Sequence, residues 1–288
     1  GNLLGVFKNM LSTKTIKRKI KSAKNIAKVT QAMEMVAASK MTKAQASALS
    51  GRPYAQSLLA VTQHLTGSDR DASASLLSNS KGTGEELTII VAPEKGLCGG
   101  LITSLERLVG NRNGLFISVG TKARQIVLRA QRKLYADFTL GLNQPIYLTA
   151  LPIVQLVSDG FRQGKISKVT VIYTHFINTL KQTALEKVII PVETPAESKA
   201  GKEAFAQYIF EPSVEELLED VLKHYLEVQF YQILLEAYAS EQSARMVSMK
   251  NATDNADGII DELTLFYNKA RQQEITSEIA DLVKIESR

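Results

Sequence analysis

The last quarter of the chain is the feature that most limits its possible folds. After Pro212 come 76 residues without proline and with a single glycine, Gly258. Ser213 and Glu216 form a capping box in front of Leu217, which predicts the start of a helix there. One helix over this stretch would be on the order of 105 Å long. A compact globule of this chain length has a diameter of only roughly 50 Å, so such a helix must project or bend back.

The N-terminal region predicts a second long helix. From Thr13 to about Leu49 there is no Pro or Gly, and strong helix formers dominate. Gly51 and Pro53 are expected to interrupt this helix, with a further helical stretch over Tyr54–Leu65 after a kink. Apolar and small residues recur with three-four spacing, which favours a coiled-coil seam that a partner helix can approach closely. They are Ile16, Ile20, Ala23, Ala27, Thr30, Ala37, Met41, Ala44 and Ala48.

Between these ends the periodicity of the sequence changes. Residues 66–84 are rich in Ser, Gly, Asp and Asn and are expected to form a linker. Short apolar runs then alternate with helical segments near 101–109, 122–132 and 150–161, which indicates an α/β domain with a largely parallel sheet. The predicted strands are Leu87–Ala92, Leu115–Val119, Leu134–Leu140, Val169–Phe176 and Ala184–Ile190, with Tyr208–Phe210 as a further candidate.

These segments predict an α/β fold class in which a long antiparallel coiled coil of N- and C-terminal helices accompanies a central Rossmann-like α/β domain. We expect an N-terminal coiled-coil helix over residues 1–66, a linker over 67–84, the α/β domain over 85–212 and a C-terminal coiled-coil helix over 213–288. The economical arrangement is a two-helix rod that protrudes from a small body.

The charge distribution favours pairing of the two ends. Residues 1–84 carry 13 Lys and Arg against 3 Asp and Glu, whereas residues 213–288 carry 7 against 15. Two separate partners, or two solvated faces, would produce the same asymmetry, and each exposed ion pair is weak. The Lys-rich stretch from Lys14 to Lys28 lacks aromatic residues for base stacking. An acidic protein surface or plain solvation is therefore favoured over nucleic acid.

A glycine-rich segment lies where phosphate loops occur, between a strand and a helix. Residues 94–100, EKGLCGG, match neither GxGxxG nor GxxxxGK followed by Ser or Thr. A tight structural turn of Gly96, Cys98, Gly99 and Gly100 is therefore favoured over a phosphate site. Cys98 is the only cysteine, which excludes an intrachain disulfide and favours a reducing compartment. The three histidines lack metal-ligand spacing, and we expect neither a metal nor a cofactor.

The C-terminal region has more apolar side chains than one helix seam can bury. Leu265, Tyr267, Ile279 and Leu282 would leave apolar area exposed unless a partner encloses it. The residues expected to form the seam against the first helix are Met246, Val247, Met249, Ile259, Ile260, Leu263, Phe266 and Ile275.

Several segments, in order along the chain, resemble the gamma subunits of ATP synthase. Residues 24–40, KNIAKVTQAMEMVAASK, resemble the N-terminal helix of that family, and GLCGG at 96–100 resembles its turn after the first strand. SEQSARM at 240–246 and NATDNA at 251–256 resemble its long C-terminal helix, as do residues 267–272 and 275–279 near the end. The chain departs from the family at residues 284–286, where a Gly-Ala pair is usual, and it lacks the cysteine-bearing insertion of chloroplast members.

The resemblance implies a non-catalytic central-stalk rotor subunit of F-type ATP synthase. Such a subunit couples proton-driven rotation of the membrane ring to conformational change at the catalytic beta-subunit sites. The implied partners are the alpha and beta subunits of the catalytic ring, the epsilon subunit and the rotor ring of c subunits, with no nucleic acid. The implied location is peripheral on an energy-transducing membrane, on the cytoplasmic side in bacteria or the matrix side in mitochondria.

By position, the resemblance also assigns contacts to particular residues. Met33 would lie opposite a mobile acidic loop of a beta subunit. Its basic neighbours Lys24, Lys28 and Lys40 would suit that partner. Tyr208 would lie near the foot, facing epsilon or the rotor ring. The implied contacts with beta subunits are Met33, Lys24, Lys28, Arg271, Gln272 and Thr276.

Two other classes of function stay open from the residues alone. A nucleotide-using α/β enzyme with coiled-coil arms would need a phosphate loop, and the chain has none of recognisable spacing. A basic coiled-coil adaptor for nucleic acid would bind with a strong dependence on salt.

Overall fold

The computed structural model describes residues 12–68, 84–191 and 214–286. Its contacts divide the chain into two compact units, one of Gly1–Val36 with Met246–Arg288 and one of Ala37–Arg245. Ser213 of the capping box, most of the expected linker and the candidate strand Tyr208–Phe210 lie outside the described residues. In chain order the elements are α1 Thr13–Ser68, β1 Glu85–Val91, α2 Leu101–Gly110, β2 Leu115–Val119, α3 Thr121–Arg129, β3 Lys133–Phe138, α4 Tyr147–Arg162, β4 Ile166–Phe176, β5 Gln182–Ile190 and α5 Val214–Glu286.

The five strands form one mixed sheet in the order β3-β2-β1-β4-β5. Strands β1 to β4 are parallel, with Leu87 opposite Leu115 and Val91 opposite Val119, and β5 runs antiparallel to β4. Strand β2 is buried throughout, whereas the edge strand β3 alternates between exposed and half-buried residues. This difference follows from continuous apolar sequence in the centre of the sheet and alternating sequence at its edge. The predicted largely parallel sheet is confirmed.

Helices cover both faces of the sheet. On one face, α4 and residues 222–234 of α5 pack against the strands, with Phe230 fully enclosed at 1% exposure. On the other face, α2 and α3 pack around Phe116 and Ile172. The two faces are served by alternate residues of the same strand, since Ile89 belongs to the first core and Ile90 to the second. The result is a three-layer α/β sandwich.

Helix α1 continues through Gly51 and Pro53, so the interruption expected there is wrong. A proline inside a helix costs about 3 kcal/mol because one backbone hydrogen bond is lost. Packing against α5 offsets this cost: Ala48 and Ala55 on either side are buried. At Gly51 a Cβ would lie 2.6 Å from Oε1 of Gln232, so a larger residue there requires the end of that flexible side chain to shift.

Within residues 37–245, α1 and α5 pack antiparallel. Ala44 shares a core cluster with Tyr238 and Ala239. Further along α1, the Tyr54 hydroxyl lies 2.8 Å from Nε2 of His224, so residue numbers rise on one helix as they fall on the other.

Within the other unit, the two helices meet along the predicted seam. Thr30 and Thr253 share a hydroxyl–hydroxyl hydrogen bond of 2.7 Å. Ala23, Ala27 and Ala256 are each buried to 8% exposure or less, because small side chains let the helix backbones approach closely. Of the nine α1 residues expected in the seam, all are buried or half-buried. No helix in the described ranges contains an apolar run long enough to cross a bilayer.

Candidate functional site

The carboxyl edge of the sheet is where a doubly wound fold usually binds a ligand, at the point where the strand order reverses. Here that point lies between β1 and β4, and helix α5 fills it. Tyr238 and Glu241 lie against Pro93 and Thr174, leaving a cavity of ≈ 10 Å³, which is about the room for one water molecule. The Ser240 hydroxyl donates to the Thr174 carbonyl at 3.0 Å. Helix α5 of the chain itself thus occupies the place where other doubly wound proteins bind a nucleotide.

The glycine-rich turn is attached to α5 by one arginine. Nη2 of Arg245 donates to the carbonyl oxygens of Lys95 at 3.2 Å and Gly96 at 3.3 Å, and to the Glu241 carboxylate at 2.7 Å. The turn therefore points carbonyl oxygens at a cation, whereas a phosphate loop points N–H groups at an anion. Two segments that the sequence singled out, GLCGG and SEQSARM, are brought together by this contact.

The four residues of that turn have different roles. Gly99 has a φ of 60°, a left-handed conformation that glycine adopts without steric cost. Gly96 and Gly100 face open space, and Gly100 precedes α2, whose Ser104 N–H donates to the Gly100 carbonyl at 3.0 Å. Cys98 is 1% exposed and packs in the core beneath α2. This geometry favours the structural interpretation of the turn.

The burial of Cys98 leads to a chemical prediction. Burial raises the pKa of the Cys98 thiol, so the reactive thiolate is scarce at neutral pH. We expect Ellman's reagent to modify the native chain at least about a hundredfold more slowly than the chain in denaturant, since both access and ionisation are restricted. Equal rates in the two conditions would show that the thiol is accessible.

Glu94 connects the end of β1 to two neighbouring loops. Its carboxylate accepts hydrogen bonds from the Thr121 N–H at 3.1 Å, the Thr121 hydroxyl and the Leu140 N–H at 2.6 Å. Partial burial alone would raise the pKa of Glu94, but these hydrogen bonds outweigh burial and lower it. The ionised side chain therefore stabilises the fold.

We expect Glu94→Gln to lower the free energy of unfolding by about 1–2 kcal/mol at pH 7, because hydrogen bonds to a charged acceptor are replaced by weaker ones. The folded-state pKa lies below the unfolded value, so the advantage of Glu94 is present above the unfolded pKa and disappears as the pH falls through the folded pKa. Urea unfolding of both chains between pH 7 and pH 3 checks this. A difference that stays constant over this range would contradict it.

Met33 belongs to an exposed apolar stripe on α1. The stripe comprises Ile26, Val29, Met33 and Val36, which are 42–57% exposed. At about 100° per residue, these four side chains lie on one flank of the helix, beside the seam of Ala23 and the residues that follow it. We call them the α1 strip. Sequence reasoning singled out Met33 and missed its three neighbours, although their own three-four spacing was a usable signal.

Two of the three lysines expected beside Met33 do not share its face. Lys24 and Lys28 are exposed, but at about 100° per residue they lie on the opposite flank of α1. Lys40 belongs to the unit of residues 37–245, where its Nζ donates to the Leu142 carbonyl at 2.9 Å. The structure thus separates the apolar and basic contacts that the sequence placed together.

Helix α5 is also more exposed than the seam prediction allowed. Ile259, Phe266 and Ile275, which were expected in the seam, are 42–51% exposed. Measured from the middle of the seam between Ala256 and Thr253, their positions fall about 70–110° away, so they lie at or beyond the edge of the contact with the partner helix. Leu265, Ile279 and Leu282 are exposed as expected, at 56–72%.

The C-terminal candidates lie on this exposed part of α5. Arg271, Gln272 and Thr276 are all exposed, and the Thr276 hydroxyl donates to the Gln272 carbonyl at 2.8 Å. Tyr208, the candidate for the foot, lies outside the described residues.

The two helices together form one apolar side. Because α1 and α5 run antiparallel, the α1 strip and the α5 residues Ile259 and Phe266 point to the same side of the pair. The opposite side is mostly charged and includes the exposed Met35; its charged residues are Lys17, Lys21, Lys24 and Lys28 on α1 and Asp254, Asp257 and Asp261 on α5. The paired helices therefore have an asymmetric surface.

Known proteins match the chain over most of its length. The family model described as ATP synthase matches residues 12–284. ATP synthase gamma chains from Dehalococcoides mccartyi and Roseiflexus sp. are each 39% identical to it over 95% of this chain, covering 98% and 97% of the respective relatives.

Solved structures agree with these sequence matches. The central stalk and c-ring of the Tetrahymena thermophila mitochondrial ATP synthase includes a chain that is 28% identical, with a TM-score of 0.57, over 78% of this chain and 99% of that one. A chain of the Euglena gracilis mitochondrial ATP synthase shares the fold at a TM-score of 0.71 and 16% identity, over 96% of this chain and 93% of that one.

Fold and surface together define a class of α/β protein in which long N- and C-terminal helices pair with each other and the C-terminal helix closes the ligand crevice of the sheet. The chain belongs to the ATP synthase gamma chain family, whose members form the central stalk of the F-type enzyme.

Proposed function

We propose that this chain is the rotor shaft that couples rotation of the membrane ring to conformational change at the catalytic beta-subunit sites. It contributes no catalytic group of its own. The proposal rests on one observation above all, the apolar side of the paired helices formed by the α1 strip with Ile259 and Phe266. A contiguous apolar surface of this kind marks a site of protein contact, because leaving it in water is costly.

The asymmetry of the paired helices supplies a mechanism for coupling. A ring of three catalytic sites around such a shaft would meet an apolar side at one site and a charged side at another. A partner can shift a conformational equilibrium only by contacting its states unequally. Rotation of an asymmetric shaft therefore changes which state each site favours, and a symmetric shaft would couple nothing.

The proposed partners follow from the same surfaces. Alpha and beta subunits would enclose the paired helices, with Met33, Arg271, Gln272 and Thr276 among the contacts. Lys24 and Lys28, on the other flank, would meet an acidic surface at a different site of the ring. The epsilon subunit and the ring of c subunits would contact the foot, which Tyr208 would join. The chain would lie at the membrane surface only through that ring, on the cytoplasmic side in bacteria or the matrix side in mitochondria.

Reconstitution tests this proposal directly. We expect alpha and beta subunits mixed with this chain to hydrolyse ATP at least about tenfold faster than either component alone, since the shaft drives the sites through their states. The isolated chain should hydrolyse no ATP above background. Equal hydrolysis by alpha and beta subunits with and without the chain would refute the proposal.

A further inference from the structure

Within residues 37–245, a polar cluster lies between the two long helices and the sheet. At its centre is Glu236 of α5, which is 6% exposed. His175 Nδ1 of β4 lies 2.5 Å from one Glu236 oxygen, and Nη2 of Arg52 from α1 lies 3.2 Å from the other. Gln232 adds a third contact at 3.4 Å. We call these four residues the Glu236 cluster.

The members of the cluster also hold backbone groups. Nη2 of Arg52 donates to the carbonyl of Phe176, the last residue of β4, at 3.3 Å. Nε2 of Gln232 donates to the Ala48 carbonyl of α1 at 2.8 Å. One carboxylate thus ties α1, β4 and α5 together through directional hydrogen bonds.

Other titratable groups face Glu236 from the sheet. Burial lowers the pKa of Lys187 on β5, and the negative charge of Glu236 partly counteracts this shift. The same charge adds to the effect of burial in raising the pKa of Tyr173 on β4. Lys187 itself donates to Oε1 of Gln229 at 2.7 Å. The carboxylate therefore sits among Arg52, Lys187 and His175, and the cluster is held by charge.

Other hydrogen bonds near the cluster each join only two of these elements, as the Ser240 hydroxyl joins α5 to β4 and the Tyr54 hydroxyl joins α1 to α5, whereas Glu236 joins all three. Next to the cluster, Ala44, Phe176, Tyr238 and Ala239 pack as a small apolar patch. Apolar contacts are non-directional and define the register of packed elements less strictly than hydrogen bonds do. A buried charged network resists such displacement, because any shift breaks hydrogen bonds that water cannot replace.

We infer that Glu236 is a positioning residue for torque transmission, which prevents the sheet from slipping against helices α1 and α5. The inference rests on the proposed rotor function and deepens it, since a shaft transmits rotation only as far as its parts stay in register. Loss of the cluster should uncouple the enzyme: ATP hydrolysis continues to turn the helices, while the rotation passed on to the sheet and the foot is lost.

The test uses the whole ATP synthase, assembled with this chain in sealed membrane vesicles. ATP hydrolysis and ATP-driven proton pumping are measured on the same vesicles for the wild-type chain and for Glu236→Gln, which preserves side-chain shape. We expect hydrolysis within about twofold of wild type and a ratio of protons pumped to ATP hydrolysed that falls at least about threefold, because the amide cannot replace the charged acceptor.

Further variants separate positioning from mere stability. Arg52→Met should lower the same ratio, and the double variant Arg52→Met with Glu236→Gln should be no worse than either single variant, since both remove one network. Arg52→Lys, which keeps the charge, should give a ratio of protons pumped to ATP hydrolysed between those of Arg52→Met and wild type. Arg129→Gln, which breaks the exposed ion pair with Glu106, serves as the matched control and should leave the ratio unchanged.

Two outcomes would overturn the inference. The first is a wild-type ratio in an assembled Glu236→Gln enzyme, and the second is a proportional fall of hydrolysis and pumping, which indicates simple destabilisation. A wild-type chain that fails to stimulate hydrolysis at all would instead refute the proposed rotor function, so the two failures are distinguishable.

Discussion

Replacing Val29 and Met33 together by Asp will abolish most of the chain's ability to stimulate ATP hydrolysis, by at least about tenfold. The two side chains are 54% and 42% exposed in the free chain, so the helix itself should tolerate the change. In the assembled enzyme they would be enclosed, and an unpaired carboxylate without water costs several kcal/mol. The measurement is the hydrolysis rate of reconstituted alpha, beta and variant chains, with circular dichroism to verify folding.

A matched double variant supplies the control. Gln31→Asp with Met35→Asp adds the same two charges with the same four-residue spacing on α1, at exposed positions on the flank opposite the α1 strip. We expect this variant to retain at least about half of the stimulation, because its carboxylates can stay solvated. Equal losses in the two double variants would show that the apolar side has no special role.

Arg245→Ala should lower the free energy of unfolding by about 3 kcal/mol at pH 7, more than Glu94→Gln. It removes the hydrogen bonds to the Lys95 and Gly96 carbonyls and leaves the Glu241 carboxylate without its cation. Breaking a largely buried pair in this way is costly because the remaining charge stays desolvated. Arg245→Lys should cost less than Arg245→Ala, because it keeps the charge but cannot reach all the acceptors at once.

The pH dependence of this loss has a defined sign. Burial already raises the pKa of Glu241 in the folded chain, and removing Arg245 raises it further. A folded-state pKa above the unfolded value means that ionisation opposes folding, so the penalty should shrink as the pH falls towards that pKa. Urea unfolding of Arg245→Ala and wild type at pH 7.5 and pH 5 measures this. A penalty that grows on acidification would contradict the buried-charge explanation.

The seam of α1 was predictable because the sequence pattern and the structure obey the same periodicity. Ala23, Ala27 and Ala44 recur at three-four spacing, and each is buried where a partner helix approaches. The five strands were equally readable, since their apolar runs are bounded by turns and separated by helical segments. Local pattern was sufficient wherever one neighbouring element determines the burial of a residue.

The sequence-based predictions were wrong where the conformation or burial of a residue depends on packing against a second element. Pro53 does not break α1, because packing of Ala48 and Ala55 outweighs a local cost that sequence rules treat as decisive. Ile259 and Phe266 are apolar at helical spacing, yet they lie outside the seam. A hydrophobic pattern alone cannot distinguish a face that meets the same chain from one that meets another protein.

Long-range polar contacts could not be read from the sequence at all. Arg52 and Glu236 are separated by 184 positions, and neither belongs to a recognisable motif. The contact of Arg245 with the glycine-rich turn likewise arises only because α5 crosses the carboxyl edge of the sheet. Such contacts depend on topology, which pattern reasoning supplies only in outline.

The paired helices are proposed to turn inside a ring of other subunits. One cross-linking measurement tests this rotation most directly. Cys98 is buried, so a Met33→Cys chain offers a single accessible thiol for a maleimide photo-cross-linker. In the assembled enzyme, illumination should attach residue 33 to a beta subunit, as mass spectrometry can verify. ATP hydrolysis should stop in proportion to the cross-linked fraction. Full hydrolysis by molecules whose position 33 is covalently attached to the ring would contradict rotation of this chain.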